Sequence, residues 1–370
     1  MIDTIKLTLD KTMFWISDSS KFEKNMMNSL RGYYTMVQNP TKGELKDGIY
    51  KPRLTLSHRF NCSKRFEETL AIELSLPKLL FGNNFDELAL SDYPTVTDKL
   101  ENVLRQMGVM VFRSVLDRAP VSMVHYSKNI PLVDGSTPHY LIGKIKEANI
   151  ELFLDTNQTD YRNEGHSFKY RANTFEVAFY DKLKDLQQAK TSSKRAIEKD
   201  NLLQLNLFDQ LTKKTPLEVL RMEVRLGSRQ KLRQILSKIG LDIEPTFSVV
   251  FKQEVAQKVL LHYLKEVEDN YPPLLNYQYN NPKQFFSDFL ISNPKTKLSS
   301  ALKYLAMRVL FEEIGVREFR QLIGRYSSSA WYGLNKEMKH LRRSEDKSIF
   351  SLLNESIINY QPLRLLDFQH

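Results

Sequence analysis

The chain has 370 residues, of which 41% are hydrophobic and 26% are charged, so it can form a packed core and wholesale disorder is excluded. Its length favours two domains. Lys and Arg number 54 against 44 Asp and Glu, and the resulting net charge of +10 favours a polyanionic partner, nucleic acid before an anionic membrane. The single cysteine, Cys62, excludes a disulfide framework and any multi-cysteine metal site.

Two targeting features are missing from the sequence. The N-terminal residues MIDTIKLTLDKTMFW alternate polar and apolar side chains and lack the apolar core of a signal peptide. No stretch approaches the roughly 18 uncharged apolar residues of a membrane span. We therefore expect an intracellular protein that binds nucleic acid and not a membrane.

The first two-thirds of the chain predict strands interleaved with helices. Apolar alternation predicts strands at about residues 2–9, 53–60, 69–76, 121–129, 173–180 and 219–226. Helical spacing predicts one helix from Pro94 to a stop at Gly108 and another from about Thr137 to Glu147. Strands outnumber helices, which favours an α+β fold with an antiparallel-rich sheet covered by helices on one face.

The last third of the chain has a purely helical pattern. Between Lys295 and Glu345 there are 11 Lys and Arg against 5 acidic residues, a surplus of +6 out of the total of +10. We therefore predict a mixed domain over residues 1–245 and an all-helical, basic domain over residues 246–370. The charged segment 181–201 is either a solvated helix and loop or an insertion that faces DNA.

Alternation along the strands separates a polar face from the core. The residues predicted to point away from the core are Glu73, Ser75, Met123, His125, Ser127, Glu176, Ala178, Tyr180, Arg221, Glu223 and Arg225. If the strands are neighbours, the carboxylates of Glu73 and Glu223, the imidazole of His125 and the phenol of Tyr180 share one open face. Such donors suit Mg²⁺ or Mn²⁺, and a tyrosine beside the metal is a candidate nucleophile for phosphodiester chemistry. The same pattern also fits ordinary solvated residues on half-buried strands.

Several segments resemble the rolling-circle replication initiators of filamentous bacteriophages, the gene II protein family, and more distantly the trans-acting plasmid Rep initiators. MIDTIKLTL resembles the start of the family, and AIELSLPKLLFGNNFDEL resembles its carboxylate strand and the following loop. NTFEVAFYDKLKDLQQAK resembles the segment with the nucleophilic tyrosine, and VLRMEVRLGSRQKLRQILSKIGL resembles the strand and basic helix after it. The similarity extends over most of the chain, including the helical tail.

The resemblance implies a Rep-type catalytic domain over residues 1–245 and a DNA-binding domain over 246–370. Tyr180 would be the nucleophile, Lys182 its basic neighbour, and Glu223 with Glu73 the metal-binding carboxylates. The implied enzyme nicks one strand of origin DNA through a phosphotyrosine intermediate with Mg²⁺ or Mn²⁺, and later rejoins the strand. It would act in the cytoplasm of a bacterial host, with the host replication machinery as a further partner.

One departure from the family pattern concerns the metal. Where the family commonly has Arg-Ile-Asp, this chain has Met123-Val124-His125, so the expected acidic ligand is His125. Either the imidazole changes the metal preference or His125 is not a ligand. The seven histidines include no His-hydrophobe-His pair, so the two-histidine motif of many plasmid relaxases is absent.

The basic tail predicts three helices, with Gly315 and Gly324 at the ends of the first two. A short third helix rich in Asn, Lys and Arg is typical of a helix-turn-helix recognition element. We expect DNA contacts from residues of two regions: Trp331, Asn335, Lys336, Lys339 and Arg342 in the tail, and Arg221 and Arg225 beside the tyrosine. In the alternative interpretation the third helix packs on the protein through Trp331 and Leu334, and Arg221 and Arg225 are merely solvated.

Two other function classes fit parts of the sequence. A non-catalytic DNA-binding protein, such as a repressor or a theta-type initiator, would bind duplex DNA without forming a covalent adduct. An RNA-binding protein on a sheet like that of the RRM would be favoured if exposed aromatic residues dominated the open face.

Overall fold

The structure is a computed structural model. It describes residues 1–25, 33–60, 65–133, 135–148, 150, 160–162, 165–191, 218–277, 281–327, 329–342 and 349–368. Cys62 and the part of the charged segment beyond Thr191 lie outside these residues. One large antiparallel sheet is combined with helices and followed by a helical C-terminal region, which confirms the predicted α+β class.

Ten strands form the large sheet, and each is antiparallel to its neighbours. In spatial order they are β3 (Glu23–Asn25), β4 (Tyr34–Gln38), β5 (Arg53–Phe60), β6 (Phe66–Ser75), β1 (Ile2–Asp10), β8 (Val121–Pro131), β12 (Val219–Leu226), β11 (Phe175–Asp181), β10 (Ser167–Ala172) and β9 (Asp160–Arg162). Two short strands, β2 (Trp15–Ile16) and β7 (Val109–Met110), pair separately. The N-terminal strand β1 thus lies inside the sheet, between β6 and β8.

Helices occur both between the strands and after them. In the described residues they are α1 (Lys42–Lys46), α2 (Leu76–Phe81), α3 (Tyr93–Gln106), α4 (Arg113–Asp117), α5 (Pro138–Ile145), α6 (Lys182–Thr191), α7 (Arg229–Lys238), α8 (Phe247–Val250), α9 (Gln253–Asp269), α10 (Pro282–Ser292), α11 (Leu298–Tyr326), α12 (Ala330–Met338) and α13 (Ile349–Asn359). The two helices predicted in the first half correspond to α3 and α5.

The main core is formed by the apolar face of the sheet and the helices packed on it. Alternation is the local cause, since Ile72 and Leu74 of β6 and Val224 and Leu226 of β12 are buried while the residues between them face the other way. The helices contribute matching apolar stripes, for example Leu100 and Leu104 of α3. The polar face of the sheet is left for other contacts.

The predicted boundary at residue 245 does not separate the two cores. Phe247 of α8, Val259 of α9, and Phe350 and Leu353 of α13 belong to the same core as the sheet. A second core is built from α10, α11 and α12, between Leu274 and Met338. A change to helical composition marks secondary structure, whereas long-range packing brings residues of α8, α9 and α13 into the core of the sheet. The boundary at residue 245 stays a prediction.

The tail helices differ in detail from the sequence prediction. Gly315 interrupts α11 with φ 76° and ψ 161°, in agreement with the predicted break, but Gly324 lies inside the same helix, which continues to Tyr326. Within the described residues, no helix combines the length and the apolar character needed to cross a bilayer.

Candidate metal and tyrosine site

A bulge in β1 brings a residue into the site that sequence analysis missed. Ile2 pairs with Tyr126 and Thr4 with His125, so Asp3 is an extra residue on the β1 side of this pairing. The sequence signal is the spacing of three between the buried Ile2 and Ile5, where strict alternation requires two. The bulge turns the Asp3 carboxylate toward the polar face, next to β8 and β12.

Asp3, His125 and Glu223 form a cluster with the composition of a cation site. One potential ligand atom from each of the three residues lies within 4.8 Å of those of the other two. His125 Nδ1 is 3.6 Å from Glu223 Oε1, and the side chains of His125 and Glu223 are 18% and 3% exposed. Two carboxylates and an imidazole can hold a divalent cation such as Mg²⁺ or Mn²⁺.

One atom of the cluster also indicates that a cation fits. Asp3 Oδ1 is buried and accepts no hydrogen bond from the described residues, although Arg221 Nη2 lies 2.9 Å away as an ion-pair partner. Arg221 compensates this negative charge in part, and the oxygen retains the capacity for a further ligand because no hydrogen bond from the described residues occupies it. A cation shared with Glu223 and His125 would use that capacity.

Glu73, in contrast, lies outside this cluster. Its carboxylate is on the polar face, as predicted, but it is 3.4 Å from Lys6 of β1 and 38% exposed. The prediction that Glu73 shares the metal site is corrected, because β1 and β8 separate its strand from β12. Alternation predicted the face of the sheet, but it carries no information about the distance between strands.

Glu223 connects the cluster to Tyr180. The Tyr180 hydroxyl donates a hydrogen bond of 2.9 Å to Glu223 Oε2, and Arg225 Nε donates one of 2.9 Å to Oε1 of the same carboxylate. Arg225 also contacts Glu176 at 2.9 Å and is 39% exposed. The structure thus brings together three residues that the sequence singled out, Tyr180, His125 and Glu223.

The electrostatics of the site favour an ionised carboxylate and a neutral imidazole. Burial by itself would raise the pKa of Glu223, but the charges of Arg225 and Arg221 outweigh it and hold the pKa well below the usual range. Burial lowers the pKa of His125, despite the opposing charge of Glu223. Burial, and then the charge of Glu223, raise the pKa of Tyr180 well above its usual value. A protonated Tyr180 therefore needs a base or a cation before it can act as a nucleophile.

A loop after α2, here named the site loop (Asn83–Glu87), covers one end of the polar face. Asn84 accepts two hydrogen bonds of 2.9 Å, one at its backbone oxygen from Arg221 Nη1 and one at Oδ1 from Lys182 Nζ. Arg221 is only 2% exposed and also donates to Ser127 Oγ at 2.8 Å. Arg221 is therefore a buried residue that binds Asp3 and Asn84. This corrects the prediction that it holds flanking phosphates of DNA.

Lys182 is fully buried at the start of α6. Burial, and next the charge of Arg221, lower its pKa to about 7. An unfolded lysine binds its proton up to about pH 10.4. Between these two values the unfolded chain binds more protons than the folded one, so this residue makes stability rise with pH.

The pH dependence of unfolding tests the environment of Lys182. From pH 7 to pH 9, the free energy of unfolding of the wild type should rise by about 2–3 kcal/mol more than that of Lys182→Met, at ~1.4 kcal/mol per pH unit. Urea denaturation at the two pH values measures this difference. Lys184→Met, at an exposed position on the same helix, is the control and should behave like the wild type. If the free energy of unfolding changed equally with pH in the wild type and in Lys182→Met, the buried position of Lys182 would be contradicted.

The predicted DNA-contacting residues of the tail fall into two groups. Trp331 is 2% exposed and packs edge-on against Phe319 in the second core, so its predicted DNA contact is corrected in favour of the packing alternative. Its apolar ring fits the interior next to α11. Lys336, Lys339 and Arg342 are exposed and Asn335 is half-buried, and Lys339 and Arg342 follow the end of α12.

The aromatic residues expected for an RNA-binding sheet are not a feature of the polar face. In the described part of the sheet, most side chains around the site on that face are polar or charged, although Ala178 lies opposite Glu223, and Tyr180 is the phenol among them. The half-exposed rings of Phe60 and Phe66 stack on each other and lie on the opposite face of their strands, in register with Leu54 and Ile72.

Comparison of the chain with protein-family models, with curated proteins and with solved structures found no match. The functional argument therefore depends on the geometry of the site itself.

Proposed function

We propose that this protein is a rolling-circle type replication initiator, a metal-dependent DNA nicking and joining enzyme with Tyr180 as its nucleophile. The observation that carries the proposal is the 2.9 Å hydrogen bond from the Tyr180 hydroxyl to Glu223, a carboxylate that also belongs to the candidate cation cluster. A nucleophile, its hydrogen-bond acceptor and a cation site within one network are what phosphodiester transfer to tyrosine requires. The resemblance to gene II-type initiators supports the same assignment.

The reaction would exchange one phosphodiester for another. The Tyr180 oxygen attacks the phosphorus and forms a tyrosyl phosphodiester with the 5′ end, while the bond to the 3′ oxygen breaks and its electron pair stays on that oxygen. Glu223 Oε2 accepts the hydrogen bond of the phenol and orients its oxygen. The phenolic proton passes to solvent, and solvent returns a proton to the 3′ oxygen. The bond energy is retained, so attack by a 3′-OH on the intermediate rejoins the strand and restores the tyrosine.

Asp3, His125 and Glu223 would hold the divalent cation, Mg²⁺ or Mn²⁺. When bound, such a cation neutralises charge that develops on the phosphate oxygens. Arg225, which is partly exposed beside Glu223, is the residue best placed to contact a non-bridging phosphate oxygen. Lys182 adds a second positive charge to the same end of the sheet when it is protonated.

Covalent capture of single-stranded DNA tests the proposed chemistry without knowledge of the origin. The purified protein is incubated with Mn²⁺ or Mg²⁺ and an end-labelled DNA library that contains a randomised region, and the products are separated under denaturing conditions. We expect a metal-dependent protein–DNA adduct, whose sequences define the cleaved site and whose peptide by mass spectrometry contains Tyr180. Binding of DNA without any adduct under either metal would overturn the enzyme and support a non-catalytic DNA-binding protein.

The exposed cations after and within α12 are proposed to bind duplex DNA. The triple variant Lys336→Gln/Lys339→Gln/Arg342→Gln should weaken binding to a 20-base-pair duplex of arbitrary sequence. The slope of log affinity against log salt should decrease by about 2–3, since each phosphate contact contributes ~0.9. Fluorescence anisotropy at several salt concentrations measures both quantities.

A second triple variant controls for net charge. Lys238 is exposed on α7, Lys265 on α9 and Lys252 directly before α9, and their replacement by Gln removes the same charge. This control should keep most of the salt slope, and an equal loss in both variants would show that general charge, rather than the tail, binds the duplex. Truncation at Lys295 is unsuitable as a test because it would also remove Phe350 and Leu353 from the main core.

A further inference from the structure

The residues after α13 pair with the site loop. The segment concerned, here named the C-terminal segment (Gln361–Leu365), makes three hydrogen bonds with this loop. The Leu363 N–H donates to Glu87 Oε2 at 2.9 Å, the Leu363 carbonyl accepts from the Glu87 N–H at 3.0 Å, and the Leu365 N–H donates to Asp86 Oδ1 at 2.7 Å. The site loop is thus bonded to the C-terminal segment through Asp86 and Glu87, and to Lys182 and Arg221 through Asn84.

A small apolar cluster joins the same elements. Leu365 packs with Phe85 of the site loop, Leu186 of α6 and Val219 of β12. Phe85 and Val219 are fully buried, and Leu186 and Leu365 are 4% and 6% exposed. Leu365 thus belongs to one buried cluster with residues of the three elements that carry Asn84, Lys182 and Glu223.

A buried ion pair makes this arrangement specific. Lys128 Nζ lies 2.6 Å from Glu87 Oε2, and the two side chains are each 3% exposed. Lys128 also donates to the Gln361 carbonyl at 2.8 Å, and Glu87 accepts the Leu363 N–H. Buried ions that lose hydrogen-bond partners are strongly destabilising, so the loop and the segment hold each other in one position.

We propose that the C-terminal segment holds the site loop so that Asn84 positions Lys182 and Arg221 in the candidate active site. Asn84 is then a positioning residue, since its two acceptor oxygens contact Lys182 and Arg221 and not the reacting atoms. Arg221 in turn is paired with Asp3 of the cation cluster. The catalytic consequence rests on the proposed function, whereas the mechanical link from the C-terminal segment to the loop does not.

Two variants test the link between the segment and the loop. Deletion of residues 361–370 removes the hydrogen bonds and the apolar contacts, and Leu365→Ala removes only the packing, so it remains informative if the deletion protein does not fold. Amide hydrogen exchange of residues 83–88 should accelerate at least 10-fold in either variant. Ile358→Ala, which truncates a 58% exposed side chain on α13, is the matched control and should leave the exchange unchanged.

The same variants should lower the rate of adduct formation on the oligonucleotide selected from the library. We expect a decrease of about 10-fold in the maximal rate with an unchanged half-saturating DNA concentration, because the loop orients groups and does not bind the strand. Wild-type exchange and wild-type rate in folded Leu365→Ala would overturn the proposal. If the wild type forms no adduct, the proposed function fails, while the exchange result still decides whether the segment holds the loop.

Substitutions of Asn84 separate positioning from mere structural support. Asn84→Ala removes the acceptor for Lys182 and should lower the maximal rate about 10-fold. Asn84→Asp keeps the acceptor, so it should recover most of the rate. The groups that face Lys182 are Arg221, Asp185, Asp3 and Glu223, and an added carboxylate at position 84 should move the upper limb of the pH–rate profile to higher pH.

A purely structural role for Asn84 predicts a different result. In that case Asn84→Asp and Asn84→Ala would change thermal stability alone, with the pH–rate profile of the wild type. That outcome would remove Asn84 from the positioning role.

Discussion

Tyr180→Phe should abolish the covalent DNA adduct while the fold and the binding of DNA persist. The substitution removes only the oxygen that would attack the phosphorus, and the ring that packs at the end of β11 remains. Loss of the hydrogen bond to the buried Glu223 carboxylate should cost about 1–3 kcal/mol of stability. The measurement is denaturing electrophoresis after incubation with metal and the single-stranded library, together with thermal unfolding.

Tyr170→Phe is the matched control for this experiment. Tyr170 lies on the neighbouring strand β10, is 1% exposed, and its hydroxyl has no hydrogen-bond partner among the described residues. It pairs with Val177 and therefore points to the apolar face. Its conversion to Phe should leave adduct formation unchanged. An adduct formed by Tyr180→Phe at the wild-type rate would transfer the role to another tyrosine.

Asp3→Asn should weaken the binding of Mn²⁺ by roughly 100-fold or more, because replacement of even an outer-shell partner commonly costs 10–100-fold. The substitution preserves the shape of the side chain but removes the charge of one predicted ligand. Mn²⁺ binding is measured by electron paramagnetic resonance or calorimetry, so the result is independent of any DNA reaction. Adduct formation should decrease in parallel.

Glu73→Gln provides the control with the same change of charge. Glu73 is on the same face of the sheet, yet its carboxylate contacts Lys6 and lies outside the Asp3–His125–Glu223 cluster. We expect wild-type affinity for Mn²⁺ in this variant. A loss of affinity in Glu73→Gln with none in Asp3→Asn would restore the original ligand prediction and refute the cluster.

The stability of Asp3→Asn must be measured without metal, because Asp3 also pairs with the buried Arg221. Removal of one partner from a buried ion pair commonly destabilises a protein by about 3–5 kcal/mol. If Asp3→Asn is still folded at the assay temperature but no longer binds Mn²⁺, the lost affinity is due to the missing ligand and not to unfolding.

Alternation within short segments determined much of the sheet from the sequence alone. LRMEVRL and TFEVAFY have a period of two, and this local property places Glu223 and Tyr180 on the polar face whatever the order of the strands. The same reasoning correctly separated the core residues of β6 and β8. The class of the fold followed from the balance of such segments with helical ones.

The tertiary structure alone decided which polar residues meet. The order of strands places β1 and β8 between Glu73 and Glu223, and the bulge at Asp3 supplies the carboxylate that alternation assigned to Glu73. Both depend on pairings between residues far apart in the sequence, such as Lys6 with Glu73 and Thr4 with His125, for which a local period contains no information. The spacing from Ile2 to Ile5 was a sequence sign of the bulge, although it could not show which residues the bulge would face.

In the C-terminal third, too, local features followed from the sequence, whereas the contacts between distant residues did not. The sequence by itself determined that the segment is helical and basic and that Gly315 breaks a helix, because composition and glycine conformation act locally. Only the tertiary structure decided that Trp331 is interior, that α13 joins the main core, and that the C-terminal segment is hydrogen-bonded to the site loop. Burial and hydrogen bonding between distant segments depend on how the whole chain packs, and that packing is not encoded in any one segment.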